Sequence, residues 1–397
     1  MEQVMTTHNN LPLLTRSFIA DENEELIAYI FSGEFGFDAW FELFSKHLFP
    51  KDGVCFTRLL ATDITKENIE LIVACDTIDH ANLVFEFSRE DIFLKSQADL
   101  LKDHGFRFCL IDPEINRHTK ETLMIADFIK IDVKKIGIEK IKIVGKFLSS
   151  IPAKLILHNV SSRDEQRASV GTDFTACQGT WLTDVSRVVS IGEPLAAYSA
   201  IFSILETIKK NGSGREIEKV LKADPPTSIK LFRYINSVGF GAGSKISSFS
   251  HAINLLGYDK LYKWCTLLLL SARRGPGIDA LIRLTVIRGK ILESLGIGHL
   301  SSSNVDKLFL IGVFSLLPSI LNANIQHILN ELNVDKDIEA ALLFGTGPFS
   351  KYLELVKALE ENHPHTVLTL ANELKLGIDL INRVQMDAIK WVEAFEF

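Results

Sequence analysis

With 397 residues, of which 47% are hydrophobic, the chain is long enough for two domains that each bury a core. A formal net charge of −7 argues against a general nucleic-acid binder, whose surface would be basic. The five cysteines form no Cys-x-x-Cys pair, the first residues resemble no secretory signal, and no apolar stretch is long enough to cross a bilayer. These features predict a soluble cytoplasmic protein with reduced thiols and without a membrane partner.

The first half of the chain mixes short apolar segments with longer segments of helical period. Runs rich in Val, Ile, Leu and Phe predict strands at Leu26–Phe31, Gly53–Leu60, Asn82–Phe87, Phe106–Ile111, Asp127–Asp132 and Lys154–Val160. Apolar residues at helical spacing between them predict helices such as Phe37–Leu48 and Ser88–Lys102. Strands that alternate with helices indicate βα repeats, and therefore a parallel sheet or a barrel.

The second half of the chain has almost only helical periodicity. The predicted helices include Ala196–Lys210, Gly214–Leu221, Thr227–Asn236, Ser248–Leu255 and Asp259–Leu270. The change from mixed strand and helix patterns to helical periodicity occurs at the Ile-Gly-Glu-Pro segment at 191–194. We therefore predict an α/β domain at residues 1–193 and an all-α domain at residues 194–397.

Several segments of the first half occur in the order of the landmarks of one family. They are Leu14–Asp21, Leu83–Glu86, Gly105 with Leu110–Asp112, Phe128–Asp132, Leu155–His158 and Cys177–Gly179. In this order the first half resembles EAL domains, which hydrolyse the bacterial second messenger cyclic di-GMP, and in particular the subgroup with a C-terminal HDOD domain. The resemblance implies a modified (β/α) barrel of the TIM type, with its site at the carboxyl ends of the strands.

The resemblance also implies a site in which acidic residues hold two divalent cations that activate a water. Four positions retain the family's residue, namely Glu86, Asp112, Lys130 and Gln178. At the signature, Ile30 replaces the glutamate and Glu34 replaces the arginine. Ile111 replaces one of two paired aspartates, and His158 replaces a later glutamate. The position of the ligand asparagine falls at Thr57 or Arg58. Because isoleucine offers no lone pair, we predict a degenerate site that binds no Mg²⁺ or other metal and catalyses no hydrolysis.

Recognition of the cyclic dinucleotide is a separate question from hydrolysis. The signature arginine clamps a phosphate, whereas Glu34 would place an anion against an anion, at a cost of about 2–5 kcal/mol for a desolvated contact. Arg58 and Arg107 are candidate replacements, although nothing in the sequence places them at the site. We therefore do not expect cyclic di-GMP to bind there, and we favour structural roles for the polar residues that remain, including His158.

The second half resembles the HDOD domain. Its signature runs from an Asp-Pro pair through an Asn-Ser-x-x-Phe-Gly turn to a helix, and comprises Asp224, Pro225, Asn236, Ser237, Gly241 and His251 in this chain. Ser248 and Ser250 are the candidates to cap the helix that carries His251. HDOD domains are related to HD phosphohydrolases, but none of the eleven histidines is followed by Asp, so we expect no catalytic metal site of that kind.

Together these features predict a bacterial signal-transduction or adaptor protein that is not an enzyme. It would act through protein–protein interaction, with partner signalling proteins binding the HDOD half. The alternative is a receptor that binds cyclic di-GMP or another nucleotide through Lys130, Gln178 and a relocated arginine without hydrolysing it. Neither interpretation requires a cofactor or a nucleic-acid partner.

Overall fold

The computed structural model of the protein describes residues 12–34, 36–46, 54–88, 91, 94–114, 120–185, 198–222, 248–270 and 275–393. The contacts within the chain divide it into two units. The first, which we call the barrel unit, comprises Met1–Leu182 and Lys357–Lys390, and the second, the helical unit, comprises Thr183–Val356 and Trp391–Phe397. Among the described residues, no helix is long and apolar enough to span a membrane.

The barrel unit is built on a closed eight-stranded barrel. Its strands are β1 Thr15–Asp21, β2 Leu26–Ser32, β3 Val54–Arg58, β4 Leu83–Ser88, β5 Arg107–Ile111, β6 Phe128–Asp132, β7 Lys154–Val160 and β8 Phe174–Gly179. Strand β1 runs antiparallel to both β2 and β8, whereas each successive pair from β2 to β8 is parallel. The predicted modified (β/α) barrel is therefore confirmed, with its first strand reversed.

Helices follow most of the parallel strands. In the barrel unit they are Phe37–Lys46, Lys66–Val73, Lys95–Asp103, Lys120–Ile125, Val133–Ile136, Ile141–Leu148 and Arg163–Ser169, joined by Pro364–Leu374 and most of Ile378–Glu393. Side chains fix several helix starts: the hydroxyl oxygens of Thr65 and Ser162 accept hydrogen bonds from backbone N–H groups of the first turn. The side chains of Trp40 and Phe44 stack on the barrel side of their helix and are fully buried.

The helical unit contains no strand among its described residues. Its helices are Ser199–Lys209, Gly214–Lys222, Phe249–Leu270, Ile278–Gly296, Ser302–Phe314, Leu317–Leu321, Ile325–Leu332 and Lys336–Glu339, with a π-helical turn at Ala340–Phe344 and most of helix Ser350–Glu360. Gly257, at φ 76°, interrupts the third of these, which confirms the predicted separation of two helices there. The predicted helix Thr227–Asn236 lies outside the described residues.

The two units differ from the predicted domains in the C-terminal segment, and the second unit also begins earlier, at Thr183. The sequence assigned all of residues 194–397 to the second domain, but Lys357–Lys390 group with the barrel. Three hydrogen bonds link this segment to the start of β1: Asn382 Oδ1 accepts from the Leu14 N–H at 2.8 Å, Asn382 Nδ2 donates to the Pro12 carbonyl at 2.9 Å, and Gln385 Nε2 donates to the Leu14 carbonyl at 2.9 Å. The predicted boundary at residue 193 itself lies outside the described residues.

Candidate functional site at the barrel mouth

One end of the barrel gathers the carboxyl ends of β2 to β8 and the start of β1, and we call this end the mouth. Side chains alternate between inside and outside along each strand, so that Ile19, Phe56, Val84, Cys109 and Ile156 meet in the barrel centre. Two residues closer to the mouth, the same inward face carries Arg58, Glu86, Ile111, Lys130, His158 and Gln178. Most of the predicted site positions therefore belong to one ring of side chains.

Glu86 and Lys130 form an ion pair inside this ring. The side chains are 5% and 1% exposed, and the ammonium contacts the carboxylate directly. Lys130 Nζ also lies 4.9 Å from the centroid of the Phe56 ring, which closes the pair from the barrel interior. The carboxylate of Glu86 is thus neutralised by a buried cation, which is a strong constraint because separating such a pair leaves an uncompensated buried charge.

A second cluster lies at the ends of the next three strands. Asp112 follows β5, Asp132 ends β6 and His158 lies in β7. One ligand-type atom from each residue lies within 4.8 Å of the other two, and His158 Nε2 is 3.5 Å from Asp112 Oδ1. Two of these residues were singled out in the sequence, but Asp132 was not, because its inward direction depends on the register of β6.

Hydrogen bonds orient both carboxylates of this cluster. Asp112 Oδ1 accepts a hydrogen bond from the Asp132 N–H at 2.8 Å, and Asp112 Oδ2 accepts one from the Lys135 ammonium at 2.6 Å. Burial raises the pKa of Asp112, but the neighbouring His158 and Lys135 side chains and the Asp132 N–H together lower it more, so the carboxyl is held well below its ordinary value. Asp132 in turn accepts from the Lys134 N–H and from Asn159 Nδ2, at 2.8 and 2.9 Å.

Two of the positions predicted to have lost family ligands carry apolar side chains in the barrel. Ile30 is fully buried among the barrel-core residues, and Ile111 ends β5 beside Lys130 on β6. Thr57 and Arg58 were alternatives for the ligand asparagine. Thr57 faces away from the barrel interior and accepts a hydrogen bond from Trp40 Nε1 at 3.1 Å, so Arg58 is the residue at the mouth.

The arginines differ in their distance from this site. Arg58 Nη2 binds Ser88 Oγ at 3.3 Å and Asp91 Oδ1 at 3.4 Å, and its side chain is 31% exposed at the mouth. Arg107 begins β5, at the opposite end of the barrel, where Nη2 donates to the Ala81 carbonyl. Only the first of the two candidate replacements for the lost signature arginine therefore lies at the mouth. Glu34, which occupies that signature position, is exposed.

A cavity of about 320 Å³ lies at the mouth beside β7, β8 and the start of β1. Arg16 and Gln178 line it from β1 and β8, and the turn at 360–363 lines it from the C-terminal segment. Arg16 is only 4% exposed and binds Glu360 at 2.9 Å, while the Thr15 hydroxyl donates to Asn362 Oδ1 at 2.5 Å. Gln178 lies on β8, next to the strand β7 that carries His158, and faces a part of the mouth that the C-terminal segment helps to enclose.

The donor set of the mouth does not match two oxygen-ligated cations. Glu86 is held by Lys130, Ile30 and Ile111 are apolar, and Arg58 carries a positive charge. Divalent cations of this type need several free carboxylate or carbonyl oxygens each. Only the cluster of Asp112, Asp132 and His158 offers three donor groups together, among the residues that the structure describes.

In the helical unit, His251 is the member of the predicted HDOD signature that the structure describes. Its backbone N–H donates to Ser248 Oγ at 3.1 Å, so Ser248, rather than Ser250, caps this helix. The remaining signature residues, Asp224, Pro225, Asn236, Ser237 and Gly241, lie outside the described residues. A cavity of about 210 Å³ elsewhere in this unit is lined by Tyr258, Tyr262 and mixed charges.

Comparisons with known proteins place these observations in a family context. Residues 197–273 match the family model of the HDOD domain. An uncharacterised Bacillus subtilis protein, YuxH, is 25% identical over 290 residues, which cover 71% of this chain and 70% of that protein. The cyclic di-GMP phosphodiesterase CdgJ of Vibrio cholerae is 22% identical over 338 residues, which cover 84% of this chain and 75% of that protein.

Solved structures of EAL proteins also match, at lower coverage. The Klebsiella pneumoniae BlrP1 complex with calcium and cyclic di-GMP has a TM-score of 0.36 at 10% identity, and covers 45% of this chain and 56% of its own. The EAL domain of Mycobacterium smegmatis DcpA has a TM-score of 0.36 at 12% identity, and covers 43% of this chain and 90% of its own. The chain thus spans little more than half the length of BlrP1.

The barrel, the order of the sequence landmarks and the matched second half agree with one another. The closed barrel with a reversed first strand carries the landmark residues at its mouth, and the HDOD match falls within the all-helical part of the chain. The chain is therefore a two-domain protein of the EAL plus HDOD type.

Proposed function

We propose that this protein is a non-catalytic component of cyclic di-GMP signalling that acts through contacts with partner proteins. The buried pair between Glu86 and Lys130 is the observation that carries this proposal. A carboxylate that is already neutralised by a buried ammonium has little charge left for a cation, and releasing it would strand Lys130 in the barrel interior. In this proposal Glu86 has a structural role.

The surrounding positions support the same conclusion. Two-metal hydrolysis of a phosphodiester requires cations that generate the nucleophile and stabilise both the attacking and the leaving oxygen. Ile30 and Ile111 supply no lone pair for this purpose, and Arg58 would repel a cation. No residue of this ring replaces those donors among the described residues, so we infer that the barrel serves as a binding or regulatory module.

The link to cyclic di-GMP rests on the EAL plus HDOD architecture and on the relative CdgJ, which is named as a cyclic di-GMP phosphodiesterase. At 22% identity the activity of that relative does not transfer to this chain, whereas the signalling context is a reasonable starting point. The proposal includes a cytoplasmic location, which is supported by five cysteines that are all unpaired.

A second candidate function is a receptor that binds cyclic di-GMP without hydrolysing it. Arg58 favours it, because this guanidinium lies at the mouth and is partly exposed, as phosphate recognition would require. Two observations argue against it: the Arg58 guanidinium is already hydrogen-bonded to Asp91, and Glu34 adds a negative charge at the signature position. We therefore rank this function second.

One experiment separates these functions. Cyclic di-GMP is titrated calorimetrically into the full chain with Mg²⁺, Mn²⁺ or Ca²⁺, and the same sample is then analysed for the linear dinucleotide product. The proposal predicts neither heat of binding nor product. Binding without product that Arg58→Ala abolishes would establish the receptor instead, and metal-dependent product would overturn the proposal.

A further inference from the structure

The helical unit contains a cavity of about 210 Å³ whose wall residues all belong to that unit. We propose that this cavity binds a small primary amine with an apolar tail, and that the ammonium group of the ligand pairs with Asp306. Part of the wall lies in the segment that matches the HDOD domain, and none of it lies at the barrel mouth. Such a ligand is therefore independent of whether the barrel catalyses a reaction.

One face of helix Ser302–Phe314 forms a wall that changes from polar to apolar with depth. Residues three or four apart share a helix face, and this face carries Ser303, Asp306, Leu310 and Phe314. Ser303 is exposed and Asp306 half-buried, whereas Leu310 and Phe314 are 8% and 0% exposed. The remaining apolar lining comes from Ile208, Val334 and Ile338. The cavity therefore has a polar opening and an apolar floor.

This gradient sets the direction in which a ligand enters. A small amine that inserts its hydrocarbon end places that end on the floor and keeps its charge at the depth of Asp306. A lysine or arginine side chain of a partner protein would enter with its charge foremost, and would bury that charge against Leu310 and Phe314 at a large desolvation cost. The wall thus favours a small molecule over a basic side chain.

The charge of Asp306 is only partly compensated within the protein. Its Oδ1 atom lies 3.5 Å from Lys263 Nζ, which is long for a charge-assisted hydrogen bond, and the same ammonium contacts Glu293 directly. Burial raises the pKa of Asp306, and Lys263 offsets only part of this rise. The ammonium group of a ligand would supply the missing positive charge.

The two lysines of the wall do not make the cavity a site for an anion. Lys307 Nζ lies 2.7 Å from an oxygen of Asp335 and 3.6 Å from one of Asp337. The Asp335 carboxylate also acts on Lys209, whose pKa burial lowers and Asp335 raises. The wall contains three aspartates and two lysines and is therefore net negative, so a phosphate or nucleotide would be repelled.

Two tyrosines give the wall fixed aromatic surfaces. The Tyr258 hydroxyl donates to the carbonyl oxygens of Asn211 and Gly212 at 3.1 and 3.2 Å, and the Tyr262 hydroxyl donates to the Leu332 carbonyl at 3.3 Å. Tyrosine rings pack against hydrocarbon and attract organic cations. The volume is below the ~300–1,000 Å³ of sites for drug-sized ligands, so the ligand is small. Among the described residues, the carboxylates of this wall do not converge as three ligands for a metal ion.

Calorimetric titration of isoamylamine into the full chain tests the proposal. Isoamyl alcohol and isocaproate serve as neutral and anionic ligands of similar shape, and acetyl-lysine methylamide represents a basic side chain. One equivalent of the amine is expected to bind, and each of the other three compounds should bind at least ~10-fold more weakly. No binding of the amine at up to about 10 mM, or binding of any comparison compound that is as tight, would overturn the proposal.

Two variants and a matched control locate the site. Asp306→Asn should weaken amine binding at least ~10-fold although it removes a charge that burial disfavours, so unfolding cannot explain the loss. Ser303→Trp places a bulky side chain at the exposed opening and should weaken binding as much without changing the charge of the wall. Asp279→Asn removes an exposed carboxylate of the same unit outside the cavity and should leave binding unchanged. Amine binding that is as tight in Asp306→Asn as in the parent protein, or that Asp279→Asn weakens equally, would contradict the assigned site.

Discussion

Replacing Glu86 by glutamine separates a structural role for this residue from a role as a metal ligand. The variant removes the counter-ion of Lys130, whose side chain is 1% exposed, and leaves a charged ammonium in the barrel interior. Loss of one partner of a buried pair costs about 3–5 kcal/mol. By contrast, if Glu86 were an unpaired metal ligand, replacing it in the metal-free protein would cost little stability.

The expected cost is large enough to measure directly. For units of about 150–250 residues, 1 kcal/mol shifts the melting temperature by roughly 2–4 °C, so Glu86→Gln should lower that of the barrel by roughly 6–20 °C. Calorimetry gives the shift, and hydrogen exchange of peptides covering β4 and β6 assigns it to the barrel. The double variant Glu86→Gln, Lys130→Met should recover most of the loss, because apolar residues often replace a buried pair without penalty.

A matched control removes a carboxylate from an exposed pair. Glu42 and Lys46 lie one turn apart on a barrel helix, and Glu42→Gln should change stability by no more than about 0.5 kcal/mol. If Glu86→Gln is as stable as the parent protein, or if the double variant recovers nothing, the structural interpretation of Glu86 is wrong.

Three further predictions concern other contacts. Asn382→Leu leaves the buried N–H of Leu14 unsatisfied and should destabilise the barrel unit by about 1–3 kcal/mol in chemical unfolding; an unchanged midpoint would show that the C-terminal segment does not support β1. Burial raises the pKa of Asp306 more than the neighbouring lysine lowers it, so its ionised form is a cost above that pKa. Asp306→Asn should therefore stabilise the helical unit at neutral pH, and the gain should shrink as the pH falls through the raised pKa of Asp306 towards the ordinary aspartate value; a gain independent of pH would contradict this origin. In Gly312→Ala the new Cβ would lie 2.5 Å from the Cα of Gly289 on the packed helix, so about 1–3 kcal/mol of stability should be lost, and a neutral effect would refute that close contact.

Much of the fold could be predicted because the local patterns agree with the tertiary structure. Each of the six predicted strands is present, with ends that differ by at most two residues, since buried parallel strands are continuous apolar runs bounded by polar turns. Strand β1 was quoted as a landmark but not predicted as a strand, and the same is true of β8. Both strands contain fewer apolar residues than the predicted ones, because Thr, Ser or Gly occupies some of their positions.

The site could be predicted only in part, because local sequence determines neither which side chains point into the barrel nor which distant residues come into contact. The period of two along β3 puts Arg58, not Thr57, at the mouth, and this required the register of the barrel. The same register brings Asp132 beside His158 on β7. The contact between Arg16 and Glu360 joins residues far apart in sequence, so the assignment of Lys357–Lys390 to the barrel unit could not be inferred from helical periodicity.

The absence of hydrolysis is the central claim, and a product assay tests it most directly. The full chain is incubated with cyclic di-GMP and Mg²⁺ or Mn²⁺, and the linear dinucleotide is measured against a sample without protein. We predict no product above that background with either cation, because Ile30, Ile111 and the neutralised Glu86 leave too few oxygen ligands for two cations. Metal-dependent product that is abolished in Asp112→Ala would contradict the claim and identify the barrel as an enzyme.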